Sequence, residues 1–350
     1  MLIISLLPVV ALADAPTSQP VTPAEAIYRS NLALARLLLE NPSDDQLLHL
    51  GRLHRSRGDF SRAAVLHLTA LRDGKNRADL EYELACDFAL WGQSKLGMEY
   101  LQKAADDGYW GYRIVHEDTD LASLKNDPGF AAAEEKIQKT FATEAPQHAP
   151  GMTEKVPSGQ APAAGWPVVF FLHGWGSNRH DFDEDASFVA TLGYVGVTLD
   201  GNEPMGPGAY SWGHESIEPT TARIEAAIKS LSVPTDPKRV YLQGFSQGAM
   251  YAARLLADHP ELYAGAICNS PGSAWLLPVK LAIPAQTGSI VLSVASHDAP
   301  GIDKNVAALE SLWRSAGRPV HVIRFDGGHQ LPPNPQAMLQ TALEELSAGN

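Results

Sequence analysis

The sequence has few cysteines and a deficit of positive charge, and both limit the chemistry open to the protein. Cys86 and Cys268 are the two cysteines in 350 residues, so we expect free thiols rather than a disulfide framework. The C-x-x-C, H-E-x-x-H, P-loop and G-x-G-x-x-G patterns are absent, so we expect no metal and no cofactor. The formal net charge of −13 argues against nucleic acid or an anionic membrane surface as a partner.

The sequence begins with an apolar segment that is too short to span a bilayer. Residues 1–10 are almost entirely apolar, and Ala11-Leu12-Ala13 has the small-x-small shape of a signal-peptidase site, although the usual basic start is missing. We therefore expect a signal peptide over residues 1–13 and export to a periplasm or beyond. A frayed apolar terminus is the alternative.

The most informative segment is Val240–Leu256. A β-branched and aromatic run meets Gly244-Phe245-Ser246-Gln247-Gly248, and an apolar helical pattern follows at once. A strand, a sharp turn and a helix with serine at the apex lift the serine hydroxyl clear of the sheet, and the glycines avoid a clash where strand and helix converge. We predict that Ser246 is a nucleophile, which requires a base and an acid that orients the base.

Two later strands lead into residues that supply the base and the acid. Ile290–Ala295 is typical of a buried strand and precedes Asp298, whereas Val320–Phe325 alternates like a strand and precedes His329 by way of two glycines. The carboxyl ends of parallel strands meet at the edge of a sheet where ligands bind. We therefore predict Asp298 as the acid and His329 as the base. Two other aspartates are alternatives for the acid: Asp303 and Asp326.

A third strand leads into the predicted oxyanion hole. Val168–Leu172 is an uninterrupted apolar run, as expected for a strand buried on both faces, and it ends in His173-Gly174-Trp175-Gly176. Such a turn can direct a backbone N–H at the oxyanion. We predict the amides of Trp175 and Gln247 as the donors, and His173 as a residue that holds the loop rather than a base. The predicted lining of the substrate pocket is Tyr210, Trp212 and Trp275.

With these motifs, the region from about Gly165 to Leu346 resembles an α/β-hydrolase. The matching pieces are FFLHGWGSN, DPKRVYLQGFSQGAMYAARLLADHPELYAGAICNSPG, SVASHD and FDGGH. They are most similar to the carboxylesterase/phospholipase and acyl-protein-thioesterase-like group, with dienelactone hydrolases and feruloyl esterases as near relations. The resemblance implies a mostly parallel sheet and a Ser-Asp-His serine hydrolase. The acid loop HDAPGIDKN departs from the pattern, because relatives usually place an apolar pair soon after the aspartate.

The first half of the chain has a period of 34 residues. Gly58 and Gly92 are separated by this interval, and Gly51 and Ala85 occupy equivalent positions before them. The pattern resembles the tetratricopeptide repeat, which implies helix-turn-helix pairs that flanking helices cap. Small residues at these positions let paired helices approach closely.

The predicted fold class is an α/β-hydrolase with a mostly parallel sheet, preceded by an all-α helical-repeat domain. The predicted segments are a signal peptide at 1–13, the repeat domain at 14–142, a linker with a first strand at 143–164, and the hydrolase at 165–350.

The predicted function is a serine carboxylic-ester hydrolase that acts on short or soluble esters. A thioesterase and a prolyl-oligopeptidase-like peptidase are alternatives that use the same residues. A non-catalytic protein-binding module that uses the helical arm is the alternative from another class. The expected partners are a small-molecule ester and, for the arm, a protein or peptide; the arm could instead simply pack on the hydrolase.

Overall fold

The computed structural model of the chain describes residues 36, 39–72, 76–214, 216–273, 276 and 283–348. The chain divides into two compact units, residues 1–75 and residues 76–350. The predicted signal peptide at 1–13 and the predicted pocket residue Trp275 lie outside the described residues.

The described part of the first unit is a pair of helices, α1 (Asp44–Ser56) and α2 (Phe60–Leu71). Ser43 caps α1 in a capping box with Gln46, and Gly58 turns the chain between the helices with a φ of 76°. The helices cross closely at Gly51, because a Cβ there would lie 2.1 Å from Nε2 of the buried His67. The close approach predicted for this small residue is therefore present.

A second helical pair begins the second unit with the same spacing. Helix α3 (Arg77–Leu90) and helix α4 (Ser94–Asp106) begin or end 34 residues after their counterparts in the first pair: α1 ends at Ser56 and α3 at Leu90, whereas α2 begins at Phe60 and α4 at Ser94. Gly92 turns the chain with a φ of 77°, one degree from the φ of Gly58. The 34-residue pattern thus corresponds to two helical hairpins of equal length.

Two more helices connect this pair to the sheet. They are α5 (Tyr112–Glu117) and α6 (Phe130–Glu144), and α6 packs on α4 through a core that includes Leu101 and Ile137. Helix α5 contacts a strand of the sheet domain, where Arg113 forms an ion pair with Glu203 and a Cβ at Gly206 would lie 2.7 Å from Cα of Gly111. Because of this packing, the unit boundary falls at Lys75 rather than at the predicted residue 142.

The rest of the second unit is built on a seven-stranded sheet with the strand order β1-β3-β2-β6-β7-β8-β9. β1 runs antiparallel to β3, and the other neighbouring pairs are parallel. A separate antiparallel hairpin, β4–β5, follows β3. The strands are β1 Met152–Lys155, β2 Trp166–Leu172, β3 Val195–Leu199, β4 Glu203–Gly206, β5 Ala209–Ser211, β6 Thr235–Phe245, β7 Gly265–Asn269, β8 Ser289–Ala295 and β9 Val320–Phe325.

Helices cover both faces of the sheet, because alternate residues of a strand point in opposite directions. On β2, Val168, Phe170 and Leu172 belong to a core with α8, α9 and α10, whereas Val169 and Phe171 belong to a core with α7 and α11. The helices are α7 Asp183–Thr191, α8 Glu218–Ser230, α9 Gln247–Asp258, α10 Ile302–Ser315 and α11 Pro335–Ala348.

The arrangement agrees with the predicted α/β class and with most of the predicted strands. Val320–Phe325 is a strand with the predicted bounds, and the other predicted strands gain or lose a few residues at their ends. Cys86 and Cys268 are buried free thiols. Among the helices of the described residues, none combines the length and the apolar composition needed to cross a bilayer.

We predict that Asp185→Asn stabilises the protein at pH 8. Asp185 lies in the first turn of α7 and is 6% exposed, and burial, with a smaller contribution from Glu184, raises its pKa from 3.8 to about 6. The unfolded chain loses this proton near pH 3.8, so the free energy of unfolding falls between about pH 4 and pH 6. Removing the charge should restore up to about 3 kcal/mol at pH 8.

Urea denaturation at pH 4 and pH 8 measures this effect. The variant should gain stability at pH 8 and lose the advantage at pH 4, whereas Glu184→Gln at the neighbouring exposed position should show no such difference. An equal change at both pH values would contradict the role of ionisation.

Candidate active site

Ser246 lies at a sharp turn between β6 and α9, and its backbone is in a conformation that L residues rarely adopt. Its φ is 53° and its ψ is −116°. The glycines on either side permit this turn: a Cβ at Gly244 would lie 2.3 Å from the carbonyl carbon of Gly248, and one at Gly248 would lie 2.1 Å from the carbonyl oxygen of Leu172. The glycine spacing is therefore a packing requirement.

His329 bridges Ser246 and Asp298. The Nε2 atom of His329 is 3.0 Å from Oγ of Ser246, and its Nδ1 atom is 2.6 Å from Oδ1 of Asp298. The imidazole lies in the loop after β9, with its ring centroid 4.8 Å from that of Phe245. The three residues predicted as nucleophile, base and acid thus form one chain of contacts, although they come from the ends of three different strands.

The Asp298 carboxylate is almost fully enclosed, with 2% of its side chain exposed. It accepts hydrogen bonds from Oγ of Ser270 at 2.6 Å, from N of Ala299 at 2.8 Å and from N of Ala295 at 3.2 Å. Burial by itself would raise the pKa of Asp298, but these bonds and the one to His329 outweigh it and lower the pKa. The carboxylate therefore stays ionised and can stabilise a positive charge on the imidazole.

The two alternative acids lie elsewhere on the surface. Asp303 is 71% exposed and pairs with Arg324, 3.5 Å away, whereas Asp326 is 93% exposed and accepts a hydrogen bond from Oγ of Ser296. Among these three aspartates, Asp298 is the one whose oxygen contacts His329.

The two residues predicted as oxyanion donors flank Ser246. Gln247 is the first residue of α9, where backbone N–H groups have no intrahelical partner and the helix dipole favours negative charge. Trp175 lies in the turn after β2. That turn passes directly beside the nucleophile, because a Cβ at Gly174 would lie 3.5 Å from Cβ of Ser246.

His173 fixes this turn from below. It is completely buried; its Nδ1 is 2.6 Å from the carbonyl oxygen of Gly174, and its Nε2 accepts the N–H of Gly201 at 2.8 Å. Burial lowers the pKa of His173, so the ring is neutral with its proton on Nδ1. Its contacts are those of a residue that holds the loop.

The predicted pocket residues Tyr210 and Trp212 also contact this turn. Trp212 is 1% exposed and donates its indole N–H to the carbonyl oxygen of His173 at 2.8 Å, so its ring lies in the core. Tyr210 is 8% exposed, and its backbone exchanges hydrogen bonds with Gly176 and Ser177. Both residues support the oxyanion turn in the described structure, and a contact with substrate remains a prediction.

A cavity of about 260 Å³ opens beside the catalytic imidazole. Its walls are mainly apolar, and its lining residues are Asp181, Phe182, Phe245, His329, Gln330 and Leu331. The sequence reasoning missed these walls, although Phe245 directly precedes the nucleophile and Leu331 follows the base by two positions. Chain proximity to the triad was the available signal.

The segment after β7 was also missed. Gly272 donates its N–H to the carbonyl oxygen of Ser246 at 2.9 Å, and a Cβ at this position would lie 3.1 Å from the nucleophilic oxygen. Ser270 donates its hydroxyl proton to Asp298. A short Ser-Pro-Gly sequence after a strand gives no periodic signal that would have revealed either contact.

Within the described residues, one group brings three side chains capable of binding a metal together. Ligating atoms of Cys86, Asp118 and Asp120 lie within 4.8 Å of one another in the helical region. The Tyr82 hydroxyl and the Cys86 thiol already donate to the Asp118 carboxylate. The cluster therefore has an internal hydrogen-bonded arrangement.

Comparison with known proteins gives similarity to bacterial hydrolases. No protein-family model matches the chain. The candidate esterase NocK of Nocardia uniformis subsp. tsuyamanensis is 33% identical over 120 residues, which is 31% of this chain and 34% of NocK. The candidate hydrolase MhqD of Bacillus subtilis (strain 168) is 26% identical over 177 residues, which is 47% of this chain and 86% of MhqD.

Two solved structures were also compared. The Bacillus cereus carboxylesterase superimposes with a TM-score of 0.48 at 18% identity, covering 60% of this chain and 99% of that one. The Mesorhizobium loti carboxylesterase gives a TM-score of 0.43 at 18% identity, covering 53% of this chain and 90% of that one. The chain is similar to bacterial esterases and hydrolases.

We predict that Gly248→Ala destabilises the protein by at least about 2 kcal/mol, because its Cβ would overlap the Leu172 carbonyl oxygen and the surrounding backbone cannot move away. Thermal and urea denaturation measure the change. Gly328→Ala is the matched control, since its Cβ would lie 3.8 Å from the nearest atom and stability should change by less than about 1 kcal/mol. Equal losses in both variants would contradict the packing argument.

Proposed function

We propose that the protein is a serine carboxylic-ester hydrolase that acts on short or soluble esters. The observation that carries the proposal is the contact chain from Ser246 through His329 to Asp298, with distances of 3.0 Å and 2.6 Å. These distances let a base take the serine proton while an ionised acid holds the base in place. The similarity to proteins named as esterases and hydrolases points the same way.

The proposed reaction proceeds through an acyl-enzyme. Ser246 Oγ attacks the ester carbonyl carbon and passes its proton to Nε2 of His329, and the Asp298 carboxylate stabilises the imidazolium. The amides of Trp175 and Gln247 donate to the oxyanion of the tetrahedral intermediate. His329 then protonates the leaving alcohol and, in the second half of the reaction, takes a proton from the water that releases the acid.

The size of the cavity beside His329 is the argument for small substrates. A volume of about 260 Å³ with walls from Phe182, Phe245 and Leu331 suits a short apolar group better than a long acyl chain. Thioesters react through the same steps, so a thioesterase is a close alternative. Peptide cleavage of the prolyl-oligopeptidase type needs the same residues and is a further alternative.

For the helical region we propose a tetratricopeptide-like repeat that offers a surface to a protein or peptide partner. Support comes from the two hairpins of equal length, in which Gly58 and Gly92 adopt the same turn 34 residues apart. A non-catalytic module built only around this arm is a weaker proposal, because it leaves the contacts of Ser246 without a purpose. Export through the predicted signal peptide at 1–13 is part of the proposal as well.

We predict that Ser246→Ala abolishes ester hydrolysis while the protein stays folded. The substitution removes the nucleophilic oxygen, and the loss in kcat should exceed about a thousandfold. The measurement is p-nitrophenyl ester hydrolysis over acyl chains of increasing length, with a thioester series beside it. Serine-dependent turnover that peaks at short chains supports both the nucleophile and the small pocket. Equal rates for both proteins would contradict the proposed mechanism.

We predict that Asp298→Asn lowers kcat by about a thousandfold or more, because the imidazole loses the partner that fixes its orientation and its charge. Asp303→Asn and Asp326→Asn are matched controls on exposed aspartates, and each should keep kcat within about twofold. A large loss in either control, with Asp298→Asn still active, would reassign the acid.

A further inference from the structure

Four residues at the end of β7 contact both the nucleophile and the acid. We call Asn269–Gly272 the brace segment. The carbonyl oxygen of Asn269 accepts the N–H of Ser246 at 3.0 Å, and the N–H of Gly272 donates to the carbonyl oxygen of Ser246 at 2.9 Å. Between these two bonds, the hydroxyl of Ser270 donates to Oδ2 of Asp298 at 2.6 Å. One short segment therefore bonds to the backbone of the nucleophile and to the side chain of the acid.

The backbone of the brace segment is fixed on both sides of Ser270. Ser270 is completely buried, with a φ of 48°, and its N–H donates to the carbonyl oxygen of Ser293 on β8 at 2.9 Å. The side-chain amide of the buried Asn305 on α10 donates to the carbonyl oxygen of Pro271 at 2.8 Å. The Ser270 hydroxyl is thus held at one place relative to the acid.

The hydrogen bonds of the Asp298 carboxylate divide between its two oxygens. Oδ1 faces Nδ1 of His329 and accepts the N–H of Ala299, whereas Oδ2 accepts the Ser270 hydroxyl and the N–H of Ala295. A carboxylate bound at both oxygens cannot rotate without losing bonds to a charged group. Among the bonds to Oδ2, the one from Ser270 is the shorter and comes from a side chain that substitution can remove.

We infer that Ser270 is a positioning residue of the site, whose hydroxyl holds the Asp298 carboxylate in the orientation that directs His329 toward Ser246. Ser270 touches neither the reacting hydroxyl nor the imidazole in this arrangement, so it acts through the acid. The kinetic part of the inference rests on the proposed hydrolase function. The geometric part concerns the His329–Asp298 contact and holds without it.

Other titratable groups near this pair are too exposed to replace the effect of Ser270. His297 and Asp326 are 82% and 93% exposed, and Asp303 on α10 is 71% exposed beside Arg324 on β9. Asp181, which lies on the surface and lines the cavity next to the imidazole, contributes a further carboxylate. Solvent screens charges at such positions strongly.

The experiment compares Ser270→Ala and Ser270→Gly with the wild-type full chain. Both variants remove the hydroxyl, and glycine accepts a φ of 48° without strain, so it keeps the test open if the alanine variant folds poorly. With p-nitrophenyl acetate, kcat should fall about tenfold while KM stays within about twofold. The acid limb of the pH profile of kcat/KM should move to higher pH, because a carboxylate that has lost a donor stabilises the imidazolium more strongly.

The matched control is Ser296→Ala. The Ser296 hydroxyl also donates to a carboxylate at 2.6 Å, but its partner is the exposed Asp326. This variant should keep kcat within about twofold and leave the pH profile unchanged. A shift as large as that of the Ser270 variants would overturn the specific role of Ser270.

A second readout does not depend on turnover. The Nδ1 proton of His329 in the short contact with Asp298 should give a downfield proton resonance, which is assigned by its loss in His329→Gln. We expect this resonance to move in both Ser270 variants and to stay in place in Ser296→Ala. Folded Ser270 variants with an unchanged resonance and pH profile would overturn the inference. A wild-type protein that hydrolyses no ester, with a resonance that still moves, would overturn the proposed function and support the positioning role.

Discussion

The contact between Gly248 and the carbonyl oxygen of Leu172 is the constraint on which the rest of the site depends. It brings the start of α9 against the end of β2 at a distance that no side chain permits. The chain between β6 and α9 must therefore turn within one residue, which forces Ser246 into its unusual backbone conformation. The same contact sets the oxyanion turn beside the nucleophile. Glycine at one position thus determines the place of both groups.

Burial gives the two histidines at this sheet edge opposite properties. His173 is enclosed and neutral, and both of its ring nitrogens are used by backbone groups of the turn that it supports. His329 lies nearer to solvent, 32% exposed, and meets an enclosed carboxylate that hydrogen bonds keep ionised. The buried negative charge of Asp298 is stable because four donors surround it, among them the hydroxyl of Ser270.

The helical residues of the second unit reach this edge through the β4–β5 hairpin. On one side, Arg113 of α5 pairs with Glu203 on β4. On the other side, Tyr210 of β5 bonds through its backbone to the turn that follows His173. The hairpin therefore lies between the helices and the oxyanion turn, and its packing explains why these helices share a compact unit with the sheet.

The amino-acid sequence determined the elements whose pattern is local: the glycines around Ser246, the strand Val320–Phe325 and the 34-residue spacing of Gly58 and Gly92. It also placed several polar residues at strand ends, but it left three aspartates as candidates for the acid. The tertiary structure decided among their surroundings, burying Asp298 beside His329 and leaving Asp303 and Asp326 in solvent. It likewise buried Trp212 and brought Ser270 to the acid. Loops after parallel strands converge at one edge, and the direction of each loop side chain depends on contacts with distant segments that have no periodic signature.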